Sequence, residues 1–135
     1  MKGLVLFLLF TFVFTYSDLE ALQRVVYCEA RGEPDNGKLA VAYTVVNRSS
    51  KSGKSIAYEA TKPSQFCVWS KSMTETSAAL KCKDAARAAI NRSQSDPSNG
   101  ATFFYSGSSV PYWAKGKSPC AVIGGHKFFK NIAPY

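Results

Sequence analysis

The chain has 135 residues, of which 46% are hydrophobic, and a formal net charge of +8. This length allows one domain with one hydrophobic core, and the lack of a lysine- and arginine-rich block or a recognition motif gives nucleic-acid binding no support. The charge favours acidic partners such as bacterial envelopes or anionic polysaccharide and phospholipid surfaces, although scattered basic residues also serve solubility.

The N-terminus has the form of a secretory signal peptide. A lysine at position 2 precedes an apolar run over residues 4–14, and small residues follow this run. The run is too short to read comfortably as a transmembrane span, and the sequence contains no second hydrophobic segment. We therefore expect a secreted, extracellular, monomeric protein without stable membrane insertion. A signal peptide over 1–17 leaves 135 − 17 = 118 residues, a single domain over 18–135.

The cleavage site is open to two interpretations. Ser17 and Glu20 fit a helix capping box, in which each side chain would bond to the other residue's backbone N–H. A cut after Ser17 would remove this cap, whereas a cut after Thr15 would keep it. The sequence does not decide between them.

Four cysteines in an exported chain predict two disulfides. They are Cys28, Cys67, Cys82 and Cys120, and the sequence leaves all three pairings open. No CxxC spacing occurs and the chain has one histidine, so we expect no structural metal and no cofactor. Oxidising conditions also argue against a Cys–His hydrolase that would use Cys120 and His126.

Periodicity and breakers predict helices first and an extended segment afterwards. Gly32 and Pro34 end the first predicted helix, and the second predicted helix forms a hairpin with it. The last predicted helix is the most clearly defined because it is rich in alanine. The predicted helices are 18–31, a second that begins after Asn36 or Gly37 and ends near Arg48, a short one around 56–61, and 74 or 75 to 91.

The C-terminal part contains strand-like segments. The turn cluster 96–100 precedes a predicted strand or extended segment over 101–106, and 112–129 reads as irregular or β-like. The expected fold class is a mainly helical α+β single domain stapled by disulfides.

Glu29 stands out at the end of the first helix. It continues the apolar series Leu19, Leu22 and Val26, which are spaced three and four residues apart. Partial burial and the negative end of the helix dipole would favour its protonated form, as a glycosidase general acid requires. The alternative is a structural ion pair with Arg31, Arg48 or a lysine.

Several motifs in order make the chain resemble the SleB-type cell-wall hydrolases, a family of spore-cortex-lytic enzymes and related peptidoglycan hydrolases. The resemblance runs through the whole mature chain. The motifs are Val25-Val26-Tyr27-Cys28-Glu29-Ala30-Arg31-Gly32-Glu33-Pro34 with Gly37, Ala40-Val41-Ala42, Val46-Asn47-Arg48, Lys62-Pro63-Ser64-Gln65-Phe66 with Trp69, Asp96-Pro97 with Gly100-Ala101, Phe103-Phe104-Tyr105, Trp113-Ala114, and Ile123-Gly124-Gly125-His126-Lys127-Phe128.

The resemblance implies a lysozyme-like fold akin to lytic transglycosylases, with Glu29 as the catalytic acid acting on peptidoglycan. Two positions depart from the family pattern. Cys28 replaces a small residue, which suggests a disulfide beside the active helix, and Ser106 stands where asparagine is common.

The protein is predicted to be a secreted glycosidase that cleaves the β-1,4 bond between N-acetylmuramic acid (MurNAc) and N-acetylglucosamine (GlcNAc). Lytic transglycosylation needs only one carboxylate. Because Gly32 and Pro34 end the helix, Glu33 is not expected one turn beyond Glu29 as a second catalytic carboxylate. The same carboxylate could instead activate water. The alternative function is a non-catalytic, cationic peptidoglycan-binding or antibacterial protein with the same fold. The candidate substrate-binding residues are Gln65, Phe66, Tyr105, Trp113 and His126.

Asn47 and the aromatic candidates each have a structural interpretation. Asn47 could orient Glu29 or cap the second helix, and we favour a structural role. Phe66 and its aromatic neighbours are more often core residues, whereas Trp113 stands beside Lys115 and Lys117 and is the better candidate for stacking on a sugar. His126 could line the cleft or brace it by hydrogen bonds.

Overall fold

The computed structural model describes residues 16–133, so residues 1–15 of the predicted signal peptide over 1–17 lie outside the described residues. Four helices are followed by a small antiparallel sheet, which confirms the mainly helical α+β class. No helix in the described part has the length and apolar character needed to cross a membrane. The elements are α1 Asp18–Ala30, α2 Asp35–Ser52, α3 Ile56–Thr61, α4 Ser77–Asn91, β1 Phe103–Ser106, a 3₁₀ turn Tyr112–Ala114, β2 Ala121–Ile123 and β3 His126–Phe129.

Ser17 caps α1 as predicted, but the second half of the predicted capping box is not seen in the described part of the chain, and the Glu20 carboxylate accepts from Arg24 instead. The Ser17 hydroxyl accepts a hydrogen bond from the backbone N–H of Glu20 at 3.2 Å, which satisfies one of the donors that a helix N-terminus leaves unpaired. Leu22, Val25 and Val26 are fully buried on one side of the helix. This face carries Glu29 at its end.

The central helix α2 is longer than predicted. It begins at Asp35 and continues to Ser52, where we expected an end near Arg48. Gly53 ends it with a φ of +73°, and its N–H bonds the carbonyl of Ser49, so the serines that read as a loop form the last turn. Residues 37–46 are all buried, which explains the weak amphipathic pattern of this helix.

Helix α4 packs across α1 and α2 through small side chains. Ala79, Ala86 and Ala89 are at most 1% exposed, because a methyl group lets helix backbones approach closely. The predicted alanine-rich helix is confirmed, with a start at Ser77 rather than at 74 or 75. Its N-cap is Thr76, whose hydroxyl accepts from the N–H of Ala79.

The sheet has the order β1-β3-β2, and its two faces are covered by different parts of the chain. Phe104 lies opposite Phe128, and both pack toward the helical core. Phe103 lies opposite Phe129, and this pair packs on the other face in a separate cluster with Trp113. Alternation of side chains along a strand produces this division.

The prediction of two disulfides is wrong. Cys28 is bonded to Cys67, which confirms a disulfide beside α1, whereas Cys82 and Cys120 are free thiols. Cys82 lies on the buried face of α4. Cys120 precedes β2, where its Sγ lies 3.2 Å from the carbonyl oxygen of Ser98. The four cysteines therefore form one disulfide and leave two free thiols in separate parts of the fold.

We expect both free thiols to react slowly. Burial raises the pKa of Cys82 to about 11 and also raises the pKa of Cys120, and only the thiolate is nucleophilic. At pH 8 the folded protein should leave Cys82 unlabelled by iodoacetamide, and unfolding without reductant should expose two thiols, as counted by intact mass. A count of zero or four would contradict the single bridge.

Candidate active site

Glu29 lies in the last turn of α1 and is half-buried. Its Oε1 accepts a hydrogen bond from the backbone N–H of Cys67 at 2.8 Å. Within residues 16–133 no cation lies within ion-pair distance of this carboxylate. The predicted alternative, a structural pair with Arg31 or Arg48, is therefore not formed.

Arg31 and Arg48, the two arginines predicted as possible partners, contact aromatic rings instead. The Arg31 guanidinium lies 5.1 Å from the ring centre of Tyr27 and 5.3 Å from that of Trp69. Arg48 lies over Phe66 and Phe103 at 4.4 and 4.2 Å. These cation–π contacts hold both guanidinium groups against aromatic rings.

A loop over residues 62–71, which we call the strap, runs along α1 and supplies the Cys67 amide. Arg24 donates to the carbonyls of Trp69 at 2.7 Å and Lys71 at 2.8 Å, and the Trp69 N–H donates back to the Arg24 carbonyl at 3.2 Å. The Trp69 ring meets Tyr27 edge-on at 5.1 Å, and the disulfide adds a covalent link. A segment without regular structure is thus held at several points beside Glu29.

The strap begins with a tight turn that presents Gln65. The Gln65 N–H bonds the Lys62 carbonyl, and Ser64 has a φ of +64°, which together with Pro63 is the pattern of a type II turn. Gln65 Oε1 accepts from Arg48 Nη1 at 2.9 Å. Its carbonyl oxygen is therefore occupied, and the side-chain amide has donors left for a sugar or acetamido oxygen.

Arg48 connects the strap to the sheet. The sequence had suggested it as an ion-pair partner for Glu29. It is 4% exposed and also donates from Nε to the carbonyl of Thr102. Because the same guanidinium reaches the strap and the start of β1, it fixes these two segments relative to each other. A fork of N–H donors suits this role better than a lysine would.

An aromatic row continues from the strap into the sheet. Phe66 lies 5.9 Å from Phe104, and Phe104 meets the His126 ring edge-on at 5.2 Å. This row brings three parts of the sequence together on the face of the sheet that packs against α1 and α2. Phe66 is partly buried in this row, and its contact with a sugar stays a prediction.

His126 lies beneath the surface. It is 2% exposed, and neither ring nitrogen has a hydrogen-bond partner among the described residues. Its Nδ1 is 3.4 Å from Glu33 Oε1. The ring packs beside Phe104 and Phe128. Bracing by hydrogen bonds is not seen among the described residues, and contact with a glycan stays a prediction.

Glu33, which the sequence argument set aside, is held by the turn between β2 and β3. The N–H of Gly125 lies 3.3 and 3.2 Å from its two carboxylate oxygens. Helix α1 ends at Ala30, one residue before the predicted end at Arg31. The turn after it still directs Glu33 into this contact, and the Glu33 N–H bonds the Ala30 carbonyl. The adjacent glycines at 124 and 125 were the only sequence signal for it.

This contact requires a glycine at position 124. A Cβ there would come within 1.9 Å of Glu33 Oε2, and the backbone φ is +55°. Gly124→Ala should therefore lower the free energy of unfolding by about 1–3 kcal/mol more than Gly116→Ala. Gly116 is the matched control, with a φ of +73° and nothing within 4 Å of its added Cβ. Urea denaturation measures both, and equal losses would show that Glu33 does not occupy this space.

Tyr105 and Trp113 lie on the opposite face of the sheet. Tyr105 stacks on Phe129 at 5.7 Å, and Trp113 meets Phe129 edge-on at 5.4 Å. Both belong to the second cluster. The structure brings Glu29, Gln65 and Phe66 together through the strap, but it does not bring these two aromatic residues to them.

The turn after α4 is organised by Asp96. Its carboxylate accepts from the Ser98 and Gly100 N–H groups and from Asn47, and Asn47 also donates to the carbonyl of Ala101 at 2.9 Å. Asn47 therefore has a structural role, but it links α2 to this turn and does not cap the helix, which continues to Ser52. Within residues 16–133, no three His, Cys, Asp or Glu side chains converge as metal ligands.

The chain matches one family model and two solved catalytic domains. The model, described as Cell Wall Hydrolase, matches residues 32–129. The catalytic domain of the Bacillus cereus SleB protein is 26% identical, with a TM-score of 0.67 over 85% of this chain and 92% of that chain. The catalytic domain of the germination-specific lytic transglycosylase SleB from Bacillus anthracis is 27% identical, with a TM-score of 0.69 over 85% and 97%. A search of curated proteins finds no match.

Proposed function

The chain belongs to the cell wall hydrolase family and is a peptidoglycan glycosidase, and we propose that Glu29 is its single catalytic carboxylate. The bond cleaved is the β-1,4 link between MurNAc and GlcNAc. One observation carries the proposal: Glu29 is a half-buried carboxylate without an ion pair in the described part, and a backbone amide anchors one of its oxygens.

The first step is proton donation to the leaving oxygen. Protonated Glu29 gives its proton to the glycosidic oxygen, the C1–O bond of MurNAc breaks, and GlcNAc leaves with a free 4-hydroxyl. The Cys67 N–H contact at 2.8 Å holds the carboxyl group in one orientation. Oε2 accepts no hydrogen bond within residues 16–133, so it is the oxygen we assign to the proton transfer.

The second step closes an anhydro ring. Glu29, now a carboxylate, takes the proton of the MurNAc C6 hydroxyl while O6 bonds to C1, so that no water is consumed. Two other carboxylates already have hydrogen-bond partners, which supports this route over a two-carboxylate hydrolysis. Glu33 is held by Gly125, and Asp96 bonds two backbone N–H groups and Asn47.

Product analysis tests this proposal. Purified oxidised protein should release muropeptides with 1,6-anhydro-MurNAc ends from isolated peptidoglycan, and mass spectrometry separates these from reducing ends by the mass of one water. Reducing ends alone would show that Glu29 activates water. Binding of wall fragments without release of any product would instead favour the non-catalytic alternative.

We also propose that the protein is secreted and cleaved before Tyr16. The Arg24 guanidinium lies 4.5 Å from the centre of the Tyr16 ring, and the Ser17 cap contributes about 1 kcal/mol to the stability of α1. A cut after Thr15 keeps both contacts. Intact mass of the exported protein should therefore place its N-terminus at Tyr16, and a start at Asp18 would contradict this.

A further inference from the structure

A cavity of about 320 Å³ lies at the C-terminal end of α2, and Glu29 is not among the residues that line it. This volume is within the range of small-ligand sites. We call it the basic cleft. Its lining includes Lys51, Lys54, Tyr58, Lys62, Phe103 and Ile132.

The basic cleft is strongly positive. Arg48 and three lysines line it against one acidic residue, Glu59. Lys51 and Lys54 are exposed, so their ammonium groups remain accessible to a ligand. The lysines are spread over the end of α2, the following loop and the start of the strap, which is why the basic residues read as scattered in the sequence.

The wall of the basic cleft is apolar. Tyr58 is 49% exposed, and Phe103 and Ile132 line the same cavity. A simple anion would leave this surface uncovered. The combination of cations with an apolar wall fits a ligand that has carboxylate groups next to small apolar side chains.

The basic cleft is connected to Glu29 through the strap. Lys62 lines the cleft, and Cys67, five residues further along the strap, holds Glu29. Five residues of chain span at most about 18 Å, and an extended peptide of four or five residues covers about 13–18 Å. An extended stem peptide is therefore about as long as the stretch of strap between Cys67 and Lys62.

We propose that the basic cleft binds the stem peptide of peptidoglycan, with Lys51 and Lys54 pairing with its carboxylates and Tyr58 contacting its alanine methyl groups. This rests on the proposed function, because the stem is carried by the MurNAc residue that Glu29 would act on. A phosphate-rich wall polymer offers negative charge as well, but it lacks the apolar groups that Tyr58, Phe103 and Ile132 would cover.

Binding is measured by calorimetry with the free peptide L-Ala-D-Glu-L-Lys-D-Ala and the Glu29→Gln protein, which removes turnover from the experiment. Lys51→Gln/Lys54→Gln should weaken binding about five- to tenfold, as expected for two partly exposed ion pairs. The charge-matched control is Lys115→Gln/Lys117→Gln, two exposed lysines outside the cleft lining, and it should change binding by less than about twofold. Amidation of the peptide carboxylates should weaken binding to the unsubstituted cleft as much as the Lys51/Lys54 changes do.

Three results would overturn this assignment. They are no binding of the peptide, equal losses in the two double variants, or binding of a glycerol-phosphate oligomer that depends on Lys51 and Lys54 in place of the peptide. Failure of the proposed function is seen separately, as absence of product from peptide-free glycan strands treated with the wild-type protein. The two failures are therefore distinguishable.

Discussion

Glu29→Gln should lower the release of soluble fragments from peptidoglycan by about 10²–10⁴-fold, the usual contribution of general acid catalysis. The glutamine side chain matches the carboxyl group in shape, and its oxygen can still accept from the Cys67 N–H, which bonds Glu29 at 2.8 Å. It has no acidic proton for the leaving oxygen. Binding of insoluble wall should be retained, because only the proton transfer is removed.

Glu33→Gln is the matched control for this experiment. Glu33 is the carboxylate nearest to Glu29 along the chain, and its amide analogue can still accept from the Gly125 N–H. It should lose far less turnover than Glu29→Gln, with both variants folded by circular dichroism. A Glu29→Gln protein that keeps its turnover while Glu33→Gln loses it would transfer the acid role to Glu33.

Removal of the disulfide should have the second large effect. Cys28→Ser/Cys67→Ser opens a link between residues separated by 39 positions, and a loop of this length corresponds to about 2–4 kcal/mol of unfolding free energy. Turnover should fall as well, because the bridge joins the residue before Glu29 to the residue whose amide holds it. Denaturant titration and product release measure the two effects.

A reductant separates the bridge from the two substitutions themselves. Dithiothreitol should lower the stability and turnover of the wild-type protein toward those of the double variant and leave the variant unchanged, since Cys82 and Cys120 are already thiols. The hydrogen bonds from Arg24 to the strap remain in both cases, so partial activity is expected. A double variant with wild-type stability and turnover would show that these bonds alone hold the strap.

The helical half of the fold follows from local patterns. Capping at Ser17, the break after α1 and the run of alanines in α4 act over three or four residues, so they can be read directly along the chain. The same periodicity located Glu29 at the end of a buried face before any contact was known. The end of α2 was misplaced because a left-handed glycine at position 53, rather than the serines before it, terminates the helix.

The site beyond Glu29 depends on contacts between distant residues. The Cys67 amide reaches Glu29 from 38 positions away, and the Gly125 N–H reaches Glu33 from 92 positions away. Helical and strand periodicity do not record such pairs. Neither the contact of Glu33 with Gly125 nor the disulfide pairing can therefore be read from the sequence. Helical periodicity and the resemblance to a family both pointed to Glu29, but neither described its surroundings.

In the sheet, residue types follow from the sequence, whereas the face that each side chain occupies follows from strand pairing. Aromatic content along 101–129 predicted β-like structure and sugar-binding candidates, because residue type and spacing are properties of the chain. Strand pairing then decided which face each ring occupies, and Tyr105 and Trp113 went to the cluster with Phe129, whereas Phe104 and His126 went to the side of the helices. Side-chain alternation makes every face depend on register, and register is set by hydrogen bonds to strands that are far apart in sequence.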